Sequence, residues 1–354
     1  MKSIPKLAIG APAALLFAIL LAHSADGRAP ERVNVTIVTD EAEAVLKALD
    51  SARPGRPVPE ELAAAVFRTE GYKRLKEREH SLGRKFDDDD FASFLTSPEL
   101  IKRRAAFRKT LHEWLRADVN AIAAGVLEYL PAKASIRAKI YPVIKPATNS
   151  FVFDLSGDPA IFLYLDPDLT RAKFENTLAH ELHHIGFGTA CPPSEAADET
   201  KLHTAGQQKV LRWAGAFGEG FAMLAAAGGP DVHPHSASPK EERERWDADV
   251  ATFASDKLKV EKFFLDLLDG KLDESKEIET ARSFYGIQGP WYTVGWKMAV
   301  VIEEELGRGK LIECFCDGRR LFSTFNEAAL KREKRDLERL PLWDQRLLFG
   351  NDGD

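Results

Sequence analysis

The sequence predicts an α+β fold that is predominantly helical. Three observations carry this expectation. Apolar residues recur every three or four positions over most of the chain, the period of a helix packed on one face. Extended runs are confined to Val33–Val38 and to the stretch between Ile136 and Leu165, enough for one small sheet. The composition is ordinary for a globular protein: 354 residues, 44% hydrophobic and 29% charged, with 24 Gly and 19 Pro. Such a chain supports a substantial core and is not collagen-like, coiled-coil or low-complexity. Lys and Arg number 49 against 55 Asp and Glu, a net charge of −6 with no long basic run. A nucleic-acid partner is therefore not expected.

The N-terminus reads as a targeting segment. Lys2 and Lys6 precede an uncharged, mostly apolar run of 16 residues, Leu7 to Ala22, and Ala22-His23-Ser24 offers a small-x-small cleavage site. That order is a signal peptide over residues 1–24, and the run is short for a membrane span of about 20 residues. The mature chain is expected to be exported, periplasmic or secreted, with no stable membrane insertion; an uncleaved anchor is the alternative. Three cysteines follow, Cys191, Cys314 and Cys316. With Leu311–Cys316 read as a strand, the last two are poorly placed to pair with each other. A bridge from Cys191 to one of them and three small buried residues both remain open.

Residues 25–135 form an N-terminal helical region. Val33–Val38 reads as a strand, Asp40–Leu49 and Pro59–Arg68 as helices, and Leu100 to about Tyr129 as further helices. Asp87–Asp90 is four acids in a row without the spaced ligands and glycine of a calcium loop, so it reads as a solvated loop. Residues 136–230 carry the densest signals. Ile140–Val143 and Ser150–Leu155 look extended, and Ser156-Gly157-Asp158 is turn chemistry leading into the apolar run Ile161–Leu165. Asp166-Pro167-Asp168 opens a helix that reaches about Phe187 and stops in Gly186 and Gly188. A second helix runs from about Ala205 to Ala227, ended by Gly228-Gly229-Pro230. Residues 231–330 are again helical, about 240–268 and 291–306, and 331–354 is a charged tail whose Lys331–Arg339 reads as an exposed helix.

The chemistry sits on the first central helix, in His180-Glu181-Leu182-His183-His184. His180 and His184 fit H-E-x-x-H. On a helix they lie about 40° apart and roughly 6 Å along the axis, so both imidazoles reach one ion. Glu181 stands on the adjoining face, where it can accept a proton from a water activated by that metal. Phe174, Leu178, Leu182 and Ile185 form an apolar arc beside these groups, as in a half-buried cleft helix. His183 points away from Glu181 and reads as a packing residue.

A catalytic zinc takes a third protein ligand and keeps one position open. A second pair of residues, a glycine and a histidine three and six places after His184, would mark a metzincin, but Phe187 and Ala190 stand there. Glu219, in Gly218-Glu219-Gly220-Phe221-Ala222, shares a face with Gly215, Ala222 and Ala226, and such small residues let two helices approach closely. Glu195, Asp198, Glu199 and His203 are the competing ligands; His203 is near the start of its helix with no small-residue face around it.

With these residues in view, His180–His184 followed by Glu219 resembles the gluzincin clan of zinc peptidases. More closely, the chain is similar to a bacterial family described as zinc-dependent peptidases of unknown substrate, through Ala160–Pro167, Thr177–Gly186, Gly218–Ala222 and Trp291–Arg308. The resemblance implies one Zn²⁺ per chain on His180, His184 and Glu219, and a thermolysin-like catalytic core. In that core a small sheet with Ile161–Leu165 as edge strand lies beside the motif helix, flanked by helices. An edge strand could hold an extended peptide by backbone hydrogen bonds; a buried or inter-domain strand is the other reading. The implied reaction is hydrolysis of a peptide or protein substrate, with Glu181 as base and Tyr292 as the donor to the oxyanion, His233 and His235 in reserve. A non-catalytic exported zinc-binding protein and a zinc hydrolase of a non-peptide substrate are the rival readings.

Overall fold

A computed structural model describes residues 32–54, 56–155, 157–191 and 204–349, all within one compact unit, Arg32–Asp354. The leader reading at 1–24 lies outside these residues, as do Glu195, Asp198, Glu199 and His203. The elements in chain order are β1 (Val33–Ile37), α1 (Asp40–Ser51), α2 (Glu60–Phe67), α3 (Glu70–Ser81), α4 (Asp88–Phe94), α5 (Pro98–Trp114) and α6 (Val119–Val126). Then come β2 (Ile136–Val143), β3 (Phe151–Phe153), β4 (Ala160–Tyr164), α7 (Arg171–Ala190), α8 (Ala205–Ala214) and α9 (Gly218–Ala227). The C-terminal helices are α10 (Lys240–Ala251), α11 (Phe253–Leu268), α12 (Glu274–Ser283), α13 (Pro290–Leu306), α14 (Arg308–Cys316) and α15 (Leu321–Lys334). The fold is α+β and predominantly helical, with one four-stranded sheet. Among the described residues no helix is long and apolar enough to cross a membrane.

The strands lie in the order β1-β2-β4-β3, with β1, β2 and β4 parallel and β3 antiparallel to β4. Side chains alternate between two cores, as a period of two requires. Ile136, Ile140, Ile161 and Leu163 enter the larger core with α1, α5, α6 and α7. Tyr141, Val143, Ala160 and Phe162 face the other way, onto Leu75 of α3 and Phe151. The Tyr141 and Phe162 rings, opposite each other in the register, stack at 4.9 Å. A third core joins α8, α9, α11 and α13 to α15 around Phe217, Phe264, Trp291 and Phe322.

Several expectations are corrected. Ile161–Leu165 is not an edge strand: β4 lies between β2 and β3, and its continuous apolar run reflects burial on both faces. Asp87–Asp90 is not a loop. Asp87 caps α4 by accepting the Asp90 N–H at 2.8 Å, and the other three acids form its first turn, where negative charge meets the positive helix end. The strand expected at Leu311–Cys316 is the end of α14. Lys331–Arg339 is not a free helix: α15 ends at Lys334, and Arg332 and Arg335 pair with Glu304 at 2.6 Å and Glu305 at 2.9 Å.

Candidate metal centre

α7 brings the histidines to the centre of the molecule. Thr170, not the preceding Asp-Pro-Asp, caps it by accepting the Lys173 N–H. Trp114 stacks on Phe174 at 4.3 Å, and Phe174, Leu178, Leu182 and Ile185 are buried against the sheet. The helix does not stop at Gly186 but runs on to Ala190. A Cβ at Gly186 would lie 2.3 Å from Leu130 Cδ1, so that glycine serves close packing rather than termination. Cys191, at the end of α7, is disulfide-bonded to Cys316 at the end of α14, and Cys314 is buried and free.

The expected second helix is two helices, α8 and α9, joined by a 3₁₀ turn at Gly215–Phe217. Glu219 stands in the first turn of α9. Its neighbour Gly220 meets α13 backbone to backbone: a Cβ there would lie 2.0 Å from Trp296 N and 2.4 Å from the carbonyl carbon of Gly295. Gly295 in turn faces Phe217, whose carbonyl oxygen would be 2.6 Å from a Cβ. The small residues around Glu219 thus seat α9 on α13, as well as beside α7, and so bring Tyr292 to the same place.

His180 Nε2 lies 3.1 Å from His184 Nε2 and 3.2 Å from Glu219 Oε2, and His184 Nε2 lies 3.3 Å from that same oxygen. Among the described residues this is the one group of three or more His, Cys, Asp or Glu with atoms placed to hold a metal ion. The spacing fits zinc. Donors about 2.0–2.1 Å from a tetrahedral centre are about 3.3 Å from one another, the edge length found here. The chemistry fits as well, since two imidazole nitrogens and a carboxylate oxygen are the donor set of many catalytic zinc sites.

Burial opposes ionisation of Glu219, but its hydrogen bonds to His180 and His184 outweigh this and hold the carboxyl well below the usual carboxylate range. Burial likewise works against protonation of His184, and Glu219 more than compensates, raising its pKa. His183 stays outside the triangle. It is buried against Phe221 at 4.6 Å, and burial pushes its pKa well down, so it packs as a neutral ring.

Glu181 follows His180 on α7 and is half-buried; its charge acts on both His184 and Tyr292. The Tyr292 ring lies nearly parallel to His180, with centroids 6.4 Å apart, and faces the Glu219 charge. Burial first, then the Glu219 charge, push this phenol's pKa up. Of the two reserve histidines, His235 lines the same cleft as His180 and Tyr292, while His233 bonds Asp247 at 3.0 Å.

That cleft encloses about 550 Å³ and has walls the sequence did not reveal. Lys173 and Thr177 stand seven and three residues before His180, on its helix face, so their place was readable. Glu242 and Arg245 of α10 and the 286–288 loop carry no such signal.

No curated protein and no solved structure matches the chain. Residues 63–334 match the family described as "Putative zinc dependent peptidase (DUF5700)", and the chain, most of which this span covers, belongs to that family.

Proposed function

We propose that this chain is an exported peptidase holding one zinc ion on His180, His184 and Glu219. The observation that carries the reading is the triangle of two imidazole nitrogens and one carboxylate oxygen, 3.1–3.3 Å on a side, in the wall of an open cleft. Three protein donors are the complement of a catalytic zinc, whereas a structural zinc is closed by four. Zinc, when bound, polarises a scissile carbonyl and lowers the pKa of water towards about 7. Glu181 accepts the proton of the attacking water and delivers it to the leaving amine. The Tyr292 hydroxyl, held by burial above the ordinary phenol range, is protonated at neutral pH and donates to the carbonyl oxygen as negative charge develops there. The charged start and apolar run before Ala22-His23-Ser24 support export, and the Cys191–Cys316 disulfide suits an oxidising compartment.

The test is a metal analysis of purified mature protein never exposed to chelator, together with cleavage of a mixed peptide library by wild type and Glu181→Gln. One zinc per chain in both proteins, with cleavage by wild type alone, is the expected outcome. Zinc well below one per chain overturns the reading. Stoichiometric zinc with no cleavage by either protein makes the chain a zinc-binding protein instead.

A further inference from the structure

The cleft beside His180 and Tyr292 has a second half that this chemistry does not use. Its walls are Lys173 of α7, His235, Glu242 and Arg245 of α10, and the loop before α13. They hold two cations against one carboxylate. Lys173 is satisfied: its Nζ donates to Ser238 Oγ at 2.6 Å and to Glu242 Oε2 at 3.2 Å. Arg245 is not. It is exposed and touches Gln288 Oε1 at 3.4 Å, and among the described residues no carboxylate lies within ion-pair distance of it.

Two further observations fall on the same wall. His235 is 1% exposed; its Nδ1 lies 3.1 Å from Ser238 Oγ, while its Nε2 has no partner. A buried polar atom left unpaired on a cleft wall costs stability unless a ligand or water completes it. The loop opposite is held in a sparsely populated backbone conformation, with φ of 45° at Gly286 and 60° at Gln288. A non-glycine residue persists there only where its surroundings impose it. The result is that Gln288 meets the Arg245 guanidinium and Ile287 stands 75% exposed at the rim.

We infer that this half of the cleft binds a substrate carboxylate, with Arg245 as its anchor. The ligand is a peptide bearing an acidic side chain beside the scissile bond, or one that ends there in a free C-terminal carboxylate. The guanidinium fork matches a carboxylate in two-point contact. Gln288 steadies one edge of that fork, His235 Nε2 adds a polar contact, and Ile287 covers the apolar part of the chain. The inference rests on the peptidase reading for the peptide nature of the ligand, but carboxylate binding needs no turnover.

Zinc-loaded Glu181→Gln protein is titrated with fluorescent peptides and followed by anisotropy. An amidated peptide with Gln at its two central positions is the reference. The same peptide with Glu at either position, still amidated, reports a side-chain carboxylate, and the Gln peptide with a free C-terminus reports a terminal one. A carboxylate peptide should bind at least about tenfold tighter than the reference. That preference should vanish in Arg245→Gln and Arg245→Glu, with zinc content and thermal stability unchanged. Equal binding of all the peptides, no binding of any, or a preference that survives both Arg245 substitutions overturns the inference. If the carboxylate peptides bind through Arg245 and wild type cleaves none of them, the peptidase reading fails and the carboxylate pocket stands.

Discussion

Gly218 and Gly220 flank Glu219 and offer a matched pair of perturbations. A Cβ at Gly220 would lie 2.0 Å from Trp296 N, 2.4 Å from the carbonyl carbon of Gly295 and 2.5 Å from the Tyr292 carbonyl oxygen, all of them backbone atoms that cannot rotate away. Ordinary contact begins near 3.4 Å, so Gly220→Ala must push α9 and α13 apart by about 1.4 Å. Overpacking of this kind costs about 1–3 kcal/mol. The same displacement carries Glu219 and Tyr292 away from each other. Since a 1 Å misplacement around a reacting centre costs about 100-fold in activity, peptide hydrolysis should fall by at least that factor. Zinc affinity, measured by competition with a chromogenic chelator, should fall by about 10–100-fold. Gly218→Ala is the control: nothing lies within 4 Å of its Cβ, and φ of −54° is helical. It should leave zinc affinity unchanged and raise stability by at most about 1 kcal/mol. Wild-type zinc affinity in Gly220→Ala, or equal damage in Gly218→Ala, would refute the reasoning.

Other perturbations reach the remaining parts of the site. Glu219→Ala should weaken zinc binding by at least about 10–100-fold; isothermal titration with zinc checks it, and unchanged affinity removes Glu219 from the ligand set. Tyr292→Phe should lower kcat by about 10²–10³ with zinc content intact, and steady-state kinetics showing wild-type kcat would exclude its donor role. Replacing Cys191 and Cys316 by Ser opens a loop of 125 residues, which the chain-entropy account values at about 5 kcal/mol; an unshifted urea midpoint would show that this bridge contributes nothing. Burial, helped by the Lys173 charge, lowers the His235 pKa to about 4 from an ordinary value of 6.5. Between those values the unfolded chain binds more protons than the folded one, so this residue's contribution to stability is lost as pH falls from about 6.5 to about 4. Urea midpoints across that window should therefore fall less steeply in His235→Gln, and parallel slopes would contradict the assignment.

What the sequence disclosed followed from local rules. His180, Glu181 and His184 needed only the helical repeat, and Glu219 only the small residues around it. The strands at Val33–Val38 and Ser150–Leu155 announced themselves by β-branched and aromatic runs, and the α7 and α13 regions by their period. What it concealed depended on partners far along the chain. An apolar run such as Ile161–Leu165 cannot report its own neighbours, so its interior place emerged only with β2 and β3 on either side. α3 and α4 bury little, chiefly Tyr72, Leu75 and Phe91, and their many charges hid the repeat. Gly186 read as a helix stop because glycine marks both helix ends and close packing, and Leu130 decides between them. The bridge from Cys191 to Cys316 joins the ends of α7 and α14 across 125 residues, a meeting that no local spacing reports. Arg245 and Gln288 meet across 43 residues, which no spacing rule anticipates.

The pairing of β1 with β2 bears on how the chain is made. Val33 lies opposite Ile136 in a parallel register, so no hairpin can deliver the partner. About a hundred residues must be synthesised first, which takes about 5–20 s at ordinary rates of translation. Through that interval β1 has no ladder to join, although α1 already has α2, α3 and α5 to pack against. Loop closure over such a distance is also a slow step in refolding. β1 is therefore a strand whose backbone donors and acceptors on that edge stay unpaired in the nascent chain until Ile136–Val143 arrives.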